Sequence, residues 1–252
     1  MKNLLSLITL ILPLLLTHQI SAQSLALRGG LNLSNSSLEL NGQSLDQSFK
    51  LNPGFHLGTY VELPLYKMIT LETGLVINTK GYRIKVDDSF DPLTGSTSDF
   101  KITKNLIYLD LPLVTQVSYK IGKAKIYGSF GPYVGIGLFG KVHFERTFSN
   151  LPMEENNPGV IIITPTPSNN FSESVVWGQV NEGTGLIQPE ENRVRRLDYG
   201  LIFGGGVEFK SIQFGVSYGL GLADISPNRN DNVVSNNQVL SLSLGYKILS
   251  KK

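Results

Sequence analysis

Hydrophobic and polar residues alternate at every second position along several long stretches of this chain. The longest such stretch runs from Asn105 to Glu145. Within 107–119, the odd positions are apolar or favour strands. The even positions include Tyr108, Asp110, Gln116 and Ser118. A period of two is typical of a β-strand with two different faces. Ile121-Gly-Lys-Ala124 then provides a short turn, and 125–145 alternates with the opposite parity, which predicts one long β-hairpin.

The return arm of this hairpin is predicted to place its bulky apolar residues on one face. These are Ile126, Phe130, Val134, Ile136, Leu138, Val142 and Phe144. The other face combines glycines with polar or aromatic residues: Lys125, Tyr127, Ser129, Tyr133, Lys141, His143 and Glu145. Arms of this length suit a transmembrane barrel, in which about 9 to 11 tilted residues cross the hydrocarbon.

The same alternation recurs along the chain and predicts eight strands in total. The other strands are expected at 25–35, 55–63, 69–86, 195–210, 212–225 and 239–249. Long polar connections (36–52, 87–103, 146–194 and 226–236) alternate with tight turns. This is the arrangement of outer-membrane barrels, which have long outer loops and short periplasmic turns. The predicted fold class is therefore all-β, an eight-stranded antiparallel up-and-down transmembrane β-barrel.

Alternation alone does not say which face is inside, because a soluble binding barrel would alternate with its apolar face inward. The interior of an eight-stranded barrel is just wide enough for side chains to fill. One set of faces is crowded with Leu, Ile and Phe, whereas the other carries most of the glycines among polar groups. The small and polar set fits inside, so the bulky set is predicted to face lipid.

The N-terminus predicts export. Lys2 precedes an apolar run from Leu4 to Leu16, and Ser21-Ala22 offers small residues for cleavage. This pattern is typical of a secretory signal peptide and is too short for a transmembrane helix. We expect residues 1–22 to be the signal peptide, residues 23–252 to be the barrel domain, and the mature protein to lie in the outer membrane.

Composition and motifs argue against several other functions. The chain has 252 residues, a net charge of +2 and no cysteine, so neither nucleic-acid binding nor thiol chemistry is expected. Gly135–Gly140 matches G-x-G-x-x-G, but the alternation continues beyond it as strand and no helix begins there to bind a dinucleotide. His143 near Glu145 is conceivable in a hydrolase, yet an ordinary polar role is favoured. No catalytic residue, metal site or cofactor is predicted.

Charged residues on the inward faces form the first candidate site. Their positions are Arg28, Glu62, Glu72, Asp110, Lys125, Asp198 and Glu208, together with Lys80. Charges in a closed interior must pair or change protonation state. A salt-bridged plug is the favoured interpretation. A proton- or ion-conducting file is the alternative, and an open pore is not expected at this strand number.

Basic residues near the outer ends of the strands form the second candidate site, a belt at the outer rim. They are Arg83, Lys85, Lys101, Lys104, Arg146, Arg193, Arg195 and Arg196, with Lys141 nearby. Guanidinium groups suit phosphates, so this belt could bind lipopolysaccharide; a simple cationic girdle is the equal alternative. The 146–194 loop contains Val160-Ile-Ile-Ile163 and Trp177, which could bind an envelope protein or pack over the barrel mouth.

Two prolines stand within predicted strands, where a residue without an N–H is normally confined to edges or bulges. Folding the long hairpin about Gly122-Lys123 pairs positions whose numbers sum to about 245. Pro112 then lies opposite Tyr133 and next to Pro132. We predict a local bulge or bend at this level, with Gly131 supplying backbone freedom and Tyr133 covering the gap from inside.

Several segments together resemble the PorT-like outer-membrane β-barrel proteins of Bacteroidota. They are Ser21-Ala-Gln23, Leu27-Arg-Gly-Gly-Leu-Asn-Leu-Ser34, Tyr108-Leu-Asp-Leu-Pro-Leu113, Gly131-Pro-Tyr-Val-Gly135 and Leu244-Gly-Tyr-Lys-Ile248. The resemblance implies a barrel and a connection to type IX secretion. We expect a non-enzymatic barrel with an occluded lumen, acting through its outer loops or within an envelope complex. A lipid-modifying barrel enzyme and a soluble periplasmic binding barrel are the alternatives.

Overall fold

The computed structural model describes residues 24–40, 43–44, 49–91, 96–149, 169–178, 193–227 and 233–250. Its strands are β1 (Ser24–Leu40), β2 (Gln43–Ser44), β3 (Phe49–Lys50), β4 (Asn52–Tyr66), β5 (Ile69–Asp91), β6 (Ser96–Ile121), β7 (Ala124–Ser149), β8 (Asn169–Ser174), β9 (Val176–Trp177), β10 (Arg193–Val194), β11 (Leu197–Phe209), β12 (Ile212–Gly221) and β13 (Val233–Ser250). The predicted signal peptide and the Val160–Ile163 segment lie outside the described residues.

Eight long strands close into a ring, which confirms the predicted barrel. The ring follows the order β11-β12-β13-β1-β4-β5-β6-β7, and pairing of β7 with β11 closes it. Every neighbouring pair in the ring is antiparallel. The closing seam aligns Phe130 with Phe203, whose ring centroids lie 5.0 Å apart. Because the ring closes, it has no free edge strand within the membrane-spanning region.

The apolar faces of the ring strands point outward, as predicted. On β1, Leu31 is 67% exposed whereas its neighbour Asn32 is 1% exposed. On β12, Phe214 is 59% exposed and Gln213 is 1% exposed. A soluble binding barrel would have the opposite orientation, so this alternative is excluded. In the described part of the chain, no helix has the length and apolar character needed to span a membrane.

Short turns join the strands at the end that we assign to the periplasm. Residues 67–68, 122–123 and 210–211 form them. In the turn after β6, Gly122 has φ 59°, a left-handed conformation that glycine adopts without steric cost. This confirms the turn predicted at Ile121–Ala124. The opposite end has the longer connections.

All four predicted outer loops are partly strand: β1 continues to Leu40, β2 and β3 lie within 36–52, and β13 begins at Val233. The expected polar loop 87–103 is largely a continuation of β5 and β6, which remain paired up to Asp91 and Ser96. In the expected loop 146–194, β8 pairs with β7. The turn-forming sequence at 91–95 predicted the connection between β5 and β6 but not how far these two strands extend. Polar residues on both faces of a solvated strand resemble a loop in sequence. The predicted strand 212–225 ends earlier, at Gly221.

A β-bulge in β7 reverses its inward and outward faces, and one prediction is therefore wrong. Ile107 pairs with Phe139 but Tyr108 pairs with Gly137, so Leu138 is the extra residue. One inserted residue moves every later side chain to the opposite face. Val142 and Phe144, predicted to face lipid, are buried at 0% and 7% exposure.

The ladder is interrupted beside Pro112, as predicted, but without a bulge. Pro112 pairs with Tyr133, and the next pair along β6 and β7 is Thr115 with Phe130. The residue numbers in each of these two pairs sum to 245, so the register of β6 against β7 does not shift across the gap. A Cβ at Gly131 would collide with the carbonyl oxygen of Leu113. Gly131 therefore allows the two strands to approach closely, and the missing donor is accommodated as a gap.

Candidate functional site

Paired side chains fill the lumen in three layers, named here from the periplasmic end outward as lower, middle and upper. In the lower layer, ion pairs cross the lumen next to the periplasmic turns. Lys247 Nζ lies 2.7 Å from a carboxylate oxygen of Glu62 and 2.7 Å from one of Glu208. Lys125 forms a second pair with Glu208 at 2.9 Å, and Gln213 Nε2 donates to Glu62 at 2.9 Å. These residues come from β4, β7, β11, β12 and β13. The carboxylates are thus paired and hydrogen-bonded, as buried charges require.

Arg28 is the centre of the middle layer. Its guanidinium donates two hydrogen bonds to the carboxylate of Glu72, at 3.0 and 2.7 Å, and a third to Gln213 Oε1 at 3.0 Å. Gln116 Nε2 also donates to Glu72, at 2.7 Å. The guanidinium carbon lies 4.2 Å from the ring centroid of Tyr60. This bidentate and stacked geometry is specific to arginine.

Lys80 is the centre of the upper layer and is 2% exposed. Its ammonium donates to Asp110 at 3.0 Å and to Asp198 at 2.9 Å. The same nitrogen lies 4.3 Å from the Tyr133 ring centroid and 4.8 Å from that of Tyr108. One cation therefore connects β6 and β11 across the interior, between two aromatic rings.

A chain of side-chain hydrogen bonds extends from the upper layer to β4. Asn78 Nδ2 donates to Asp110 at 2.7 Å, and Asn32 Nδ2 donates to Asn78 at 2.6 Å. Asn32 Oδ1 accepts from Ser241 at 2.9 Å and lies 2.8 Å from His56 Nδ1, which donates to it. This network fixes the position of Asp110 independently of Lys80.

A cavity of about 100 Å³ lies between the middle and upper layers. Its polar lining includes Arg28, Glu72, Lys80, Asp110, Tyr127 and Ser243. The wall formed by β11, β12 and β13 contributes mainly small residues, among them Gly205, Gly215 and Ser217. A polar space of this size can hold several water molecules, but paired side chains cross the lumen at each of the three layers.

An apolar cap covers the outer end of the lumen. Its buried members are Leu106, Tyr108, Val142, Phe144, Val175, Val194 and Ile225. Trp177 joins them from β9: its ring lies against Gly137 and meets Tyr108 edge-to-face at 5.7 Å. Parallel pairing of β9 with β10 and a hydrogen bond from Val175 N to Gly140 O at 2.9 Å hold this segment inside the mouth. The bulge at Leu138 makes the cap possible, because it turns the apolar side chains of outer β7 inward.

The residues predicted as an outer basic belt are distributed over different surfaces. Lys104 is 8% exposed, faces the interior and lies 5.4 Å from the Tyr82 ring centroid. Arg146 lies on the same inner face of β7. Arg195 pairs with Asp224 at 3.2 Å.

The remaining members of the predicted belt lie in two groups. Arg193 belongs to β10, inside the mouth, and Arg196 is exposed just before β11. Arg83, Lys85 and Lys101 share the outward face of β5 and β6.

Several lumen residues were not among the charged residues predicted as a site, although Gln116 stood on the face predicted to point inward. Lys247, Gln213, Gln116 and Asn78 complete the three layers. The alternation of β13 contained the signal for Lys247, since it shares the inward parity of Ser241 and Ser243. In the described residues, no group of three or more His, Cys, Asp or Glu side chains is arranged to hold a metal ion.

Solved structures that are similar to this chain include two outer-membrane proteins, both with low superposition scores. One is Ail of Yersinia pestis in complex with the heparin analogue sucrose octasulfate (16% identity, TM-score 0.35, covering 90% of this chain and 99% of that one). The other is Neisserial surface protein A, NspA (9% identity, TM-score 0.33, covering 88% and 95%). No curated protein sequence matches. A family model described as outer membrane protein beta-barrel domain matches residues 21–226. The chain therefore belongs to this family of outer-membrane β-barrel proteins.

Proposed function

We propose that this barrel is a sealed, non-enzymatic anchor that acts by binding a partner through an outer extension of its strands. We define the outer extension as residues 81–91 of β5, 96–106 of β6, 139–149 of β7, and β8. Above the level of Ile136, β7 is paired with β8 and no longer with β11. The extension is thus a sheet that continues beyond the ring. A partner within an envelope or secretion-related complex fits this role.

The observation that carries the proposal is the filled lumen. Three layers of paired side chains and an apolar cap occupy the interior, including the pairs Arg28–Glu72 and Lys80–Asp198. A barrel that conducts solutes needs a continuous polar path, which these layers interrupt. A barrel with a filled lumen must act through its surfaces outside the membrane.

The inner face of the outer extension has the character of a binding surface. Ile84, Ile102, Phe144 and Phe171 form one cross-strand row over four strands. Phe144 and Phe171 are stacked with centroids 4.7 Å apart, and Phe171 remains 52% exposed. Aromatic residues are enriched in protein interfaces, so the exposed end of this row, at Phe171, is the expected contact region.

Site-specific photocrosslinking in native outer membranes tests the proposal. A photoreactive phenylalanine analogue at position 171 should give a discrete protein adduct. The matched control is the same analogue at Phe214, which is 59% exposed on the lipid-facing surface and should give none. Planar-bilayer recordings of the purified barrel should show no stable large channel. Persistent conductance, or the same adducts at both positions, would refute a sealed anchor with an outer binding surface.

The alternative of a lipid-modifying enzyme rests on one contact. His143 Nδ1 lies 2.7 Å from Ser172 Oγ on the outward face of the extension. A hydrolase also needs a group that orients the histidine. Both carboxylate oxygens of Glu145, two residues further along the same face, accept hydrogen bonds from Lys101 at 3.0 and 2.8 Å. This geometry favours binding over catalysis.

A further inference from the structure

Each of the three described turns at the periplasmic end carries an exposed lysine. Lys67 follows β4, Lys123 follows β6 and Lys210 follows β11; we call these residues the turn lysines. The ring consists of four neighbouring strand pairs, and the turn lysines lie on three of them, the fourth pair being β13 with β1. The three cations are therefore distributed around the periplasmic rim and are not gathered at one point.

The turn lysines are not neutralised within the described part of the chain. At the periplasmic end, that part comprises residues 24–27, 62–70, 117–126, 207–214 and 244–249. The acidic side chains in these stretches are Glu62 and Glu208, and both pair with Lys247 in the lower layer, at 2.7 Å each. None of the turn lysines has an ion pair with a described residue. Lys120 is also exposed at this end, but it lies opposite Lys125 on the inward side of β6 and is not counted with them.

Exposed aromatic side chains accompany the turn lysines on the lipid-facing surface. Tyr66 immediately precedes Lys67, and Phe209 immediately precedes Lys210. These two aromatic side chains are 68% and 45% exposed, and Tyr119 near the end of β6 is 61% exposed. Aromatic residues in this arrangement mark the boundary between hydrocarbon and lipid headgroups in transmembrane barrels. The boundary of the membrane therefore lies directly beside the turns.

The turn lysines consequently lie at the depth of the lipid headgroups. With a rise of about 3.3 Å per residue and a tilt of about 40°, one residue beyond the aromatic boundary advances roughly 2.5 Å along the membrane normal. The headgroup layer extends about 5 to 7 Å beyond the hydrocarbon, so Lys67 and Lys210 lie within it. The long lysine side chain can move its ammonium group along this layer to reach a phosphate. A soluble acidic protein would have to enter the headgroup layer to reach the same groups, which favours lipid as the partner.

Lys210 occupies a backbone conformation that lysine disfavours. Its φ is 56°, and it is the one non-glycine residue with a positive φ in the described part of the chain. The turn after β6 places Gly122 in this conformation, with φ 59°, and Lys123 follows it. Glycine would occupy position 210 without steric cost. A lysine kept at a strained position indicates that its side chain has a role outside the turn.

We propose that Lys67, Lys123 and Lys210 bind the phosphate groups of anionic phospholipids in the periplasmic leaflet of the outer membrane. Separated cations around the rim fit a lipid surface that surrounds the barrel better than they fit one compact ligand. Each lysine near an anionic membrane surface strengthens the attraction by about fivefold. This role goes beyond the proposed partner binding, because it uses the opposite end of the barrel from the outer extension.

Native mass spectrometry of the barrel in neutral detergent tests the proposal. The detergent contains equal amounts of phosphatidylglycerol and phosphatidylcholine with the same acyl chains, and the measurement counts the lipids that remain bound. The wild type should retain phosphatidylglycerol over phosphatidylcholine by about tenfold. The triple variant Lys67→Gln/Lys123→Gln/Lys210→Asn should lose this preference. Asparagine is chosen at position 210 because it tolerates the left-handed conformation, so the turn is preserved.

The matched control removes the same charge from the opposite end of the barrel. Lys50→Gln/Lys141→Gln/Arg196→Gln replaces three exposed basic residues there and should keep the wild-type preference. Replacing all three turn lysines by arginine should also keep it, because the charge is retained. Heat-dependent gel mobility verifies that each variant is folded. An equal loss in the outer-end control would show general charge attraction, and an unchanged preference in the variant without turn lysines would show that they face solvent or a soluble partner; either result would overturn the proposal.

Discussion

Lys80 Nζ and Asp198 Oδ2 lie 2.9 Å apart at the centre of the barrel, although 118 residues separate them in the chain. Both side chains are essentially inaccessible to solvent. Asp198 also accepts hydrogen bonds from Asn237 at 3.1 Å and from Tyr133 at 3.3 Å. The position of Asp198 is thus determined by strands from three parts of the ring, and the ion pair forms only when the barrel is closed.

Replacing Lys80 by Met should strongly destabilise the barrel, because Asp110 and Asp198 would remain buried without their cation. The expected loss is about 3 to 5 kcal/mol in the free energy of unfolding, measured by urea denaturation in detergent or lipid vesicles. Lys101→Met is the control: it breaks the more exposed pair with Glu145 and should cost less than about 1 kcal/mol. Similar losses in the two variants would contradict a structural role for the central pair.

Replacing Arg28 by Lys should also destabilise the barrel, even though the charge is conserved. Lysine cannot reproduce the bidentate contact with Glu72 together with the hydrogen bond to Gln213 and the stacking on Tyr60. We expect a loss of about 1 to 3 kcal/mol. The same denaturation measurement applies, and wild-type stability in this variant would show that charge alone is required.

Filling the space at Gly137 should displace the cap. A Cβ at this position would collide with the ring of Trp177, whereas a Cβ at Gly128 on the same strand would meet nothing within 4 Å. Trp177 is the sole tryptophan of the chain, so its fluorescence reports on the cap directly. Gly137→Val should shift the emission to longer wavelength and increase quenching by acrylamide.

Gly128→Ala serves as the control for the cap and should leave the emission unchanged. An unchanged spectrum in Gly137→Val, with the barrel still folded by its heat-dependent gel mobility, would show that Trp177 does not depend on this contact.

The inward and outward faces were predictable over most of the ring because each strand there keeps a period of two. Leu31 and Asn32 illustrate this, and the same parity brought Arg28, Glu72 and Asp110 to the interior. Outer β7 was not predictable in this way. A single extra residue at Leu138 reverses the parity. The extra residue is apolar and stands among other apolar residues, so the sequence pattern does not show which one is inserted.

The pairing partners of the charged residues could not be predicted either. Lys247 and Glu62 are separated by 185 residues, and their distance depends on the stagger of the closed ring. Similarly, Lys104 and Lys101 are three residues apart and lie on opposite faces of β6. Parity separates them, but the predicted loop 87–103 concealed that this segment is a strand.

The gap beside Pro112 should make a short part of the β6–β7 wall exchange its amide protons faster than the neighbouring residues. On the β7 side, pairing passes from Pro112–Tyr133 directly to Thr115–Phe130. On the β5 side it passes from Leu113–Thr73 to Asp110–Val76. The backbone around Pro112 therefore has missing ladder contacts on both sides.

Hydrogen exchange in a barrel requires local opening, and opening is easier where fewer ladder hydrogen bonds must break. Protection at Val114 and Gly131 should accordingly be lower than at Leu109 and Val117, as measured by NMR on the folded barrel. Pro112→Val restores an N–H donor and should increase protection in this segment if the strands can close the gap. Uniform protection across 109–117 in the wild type would show that the interruption has no effect on local stability.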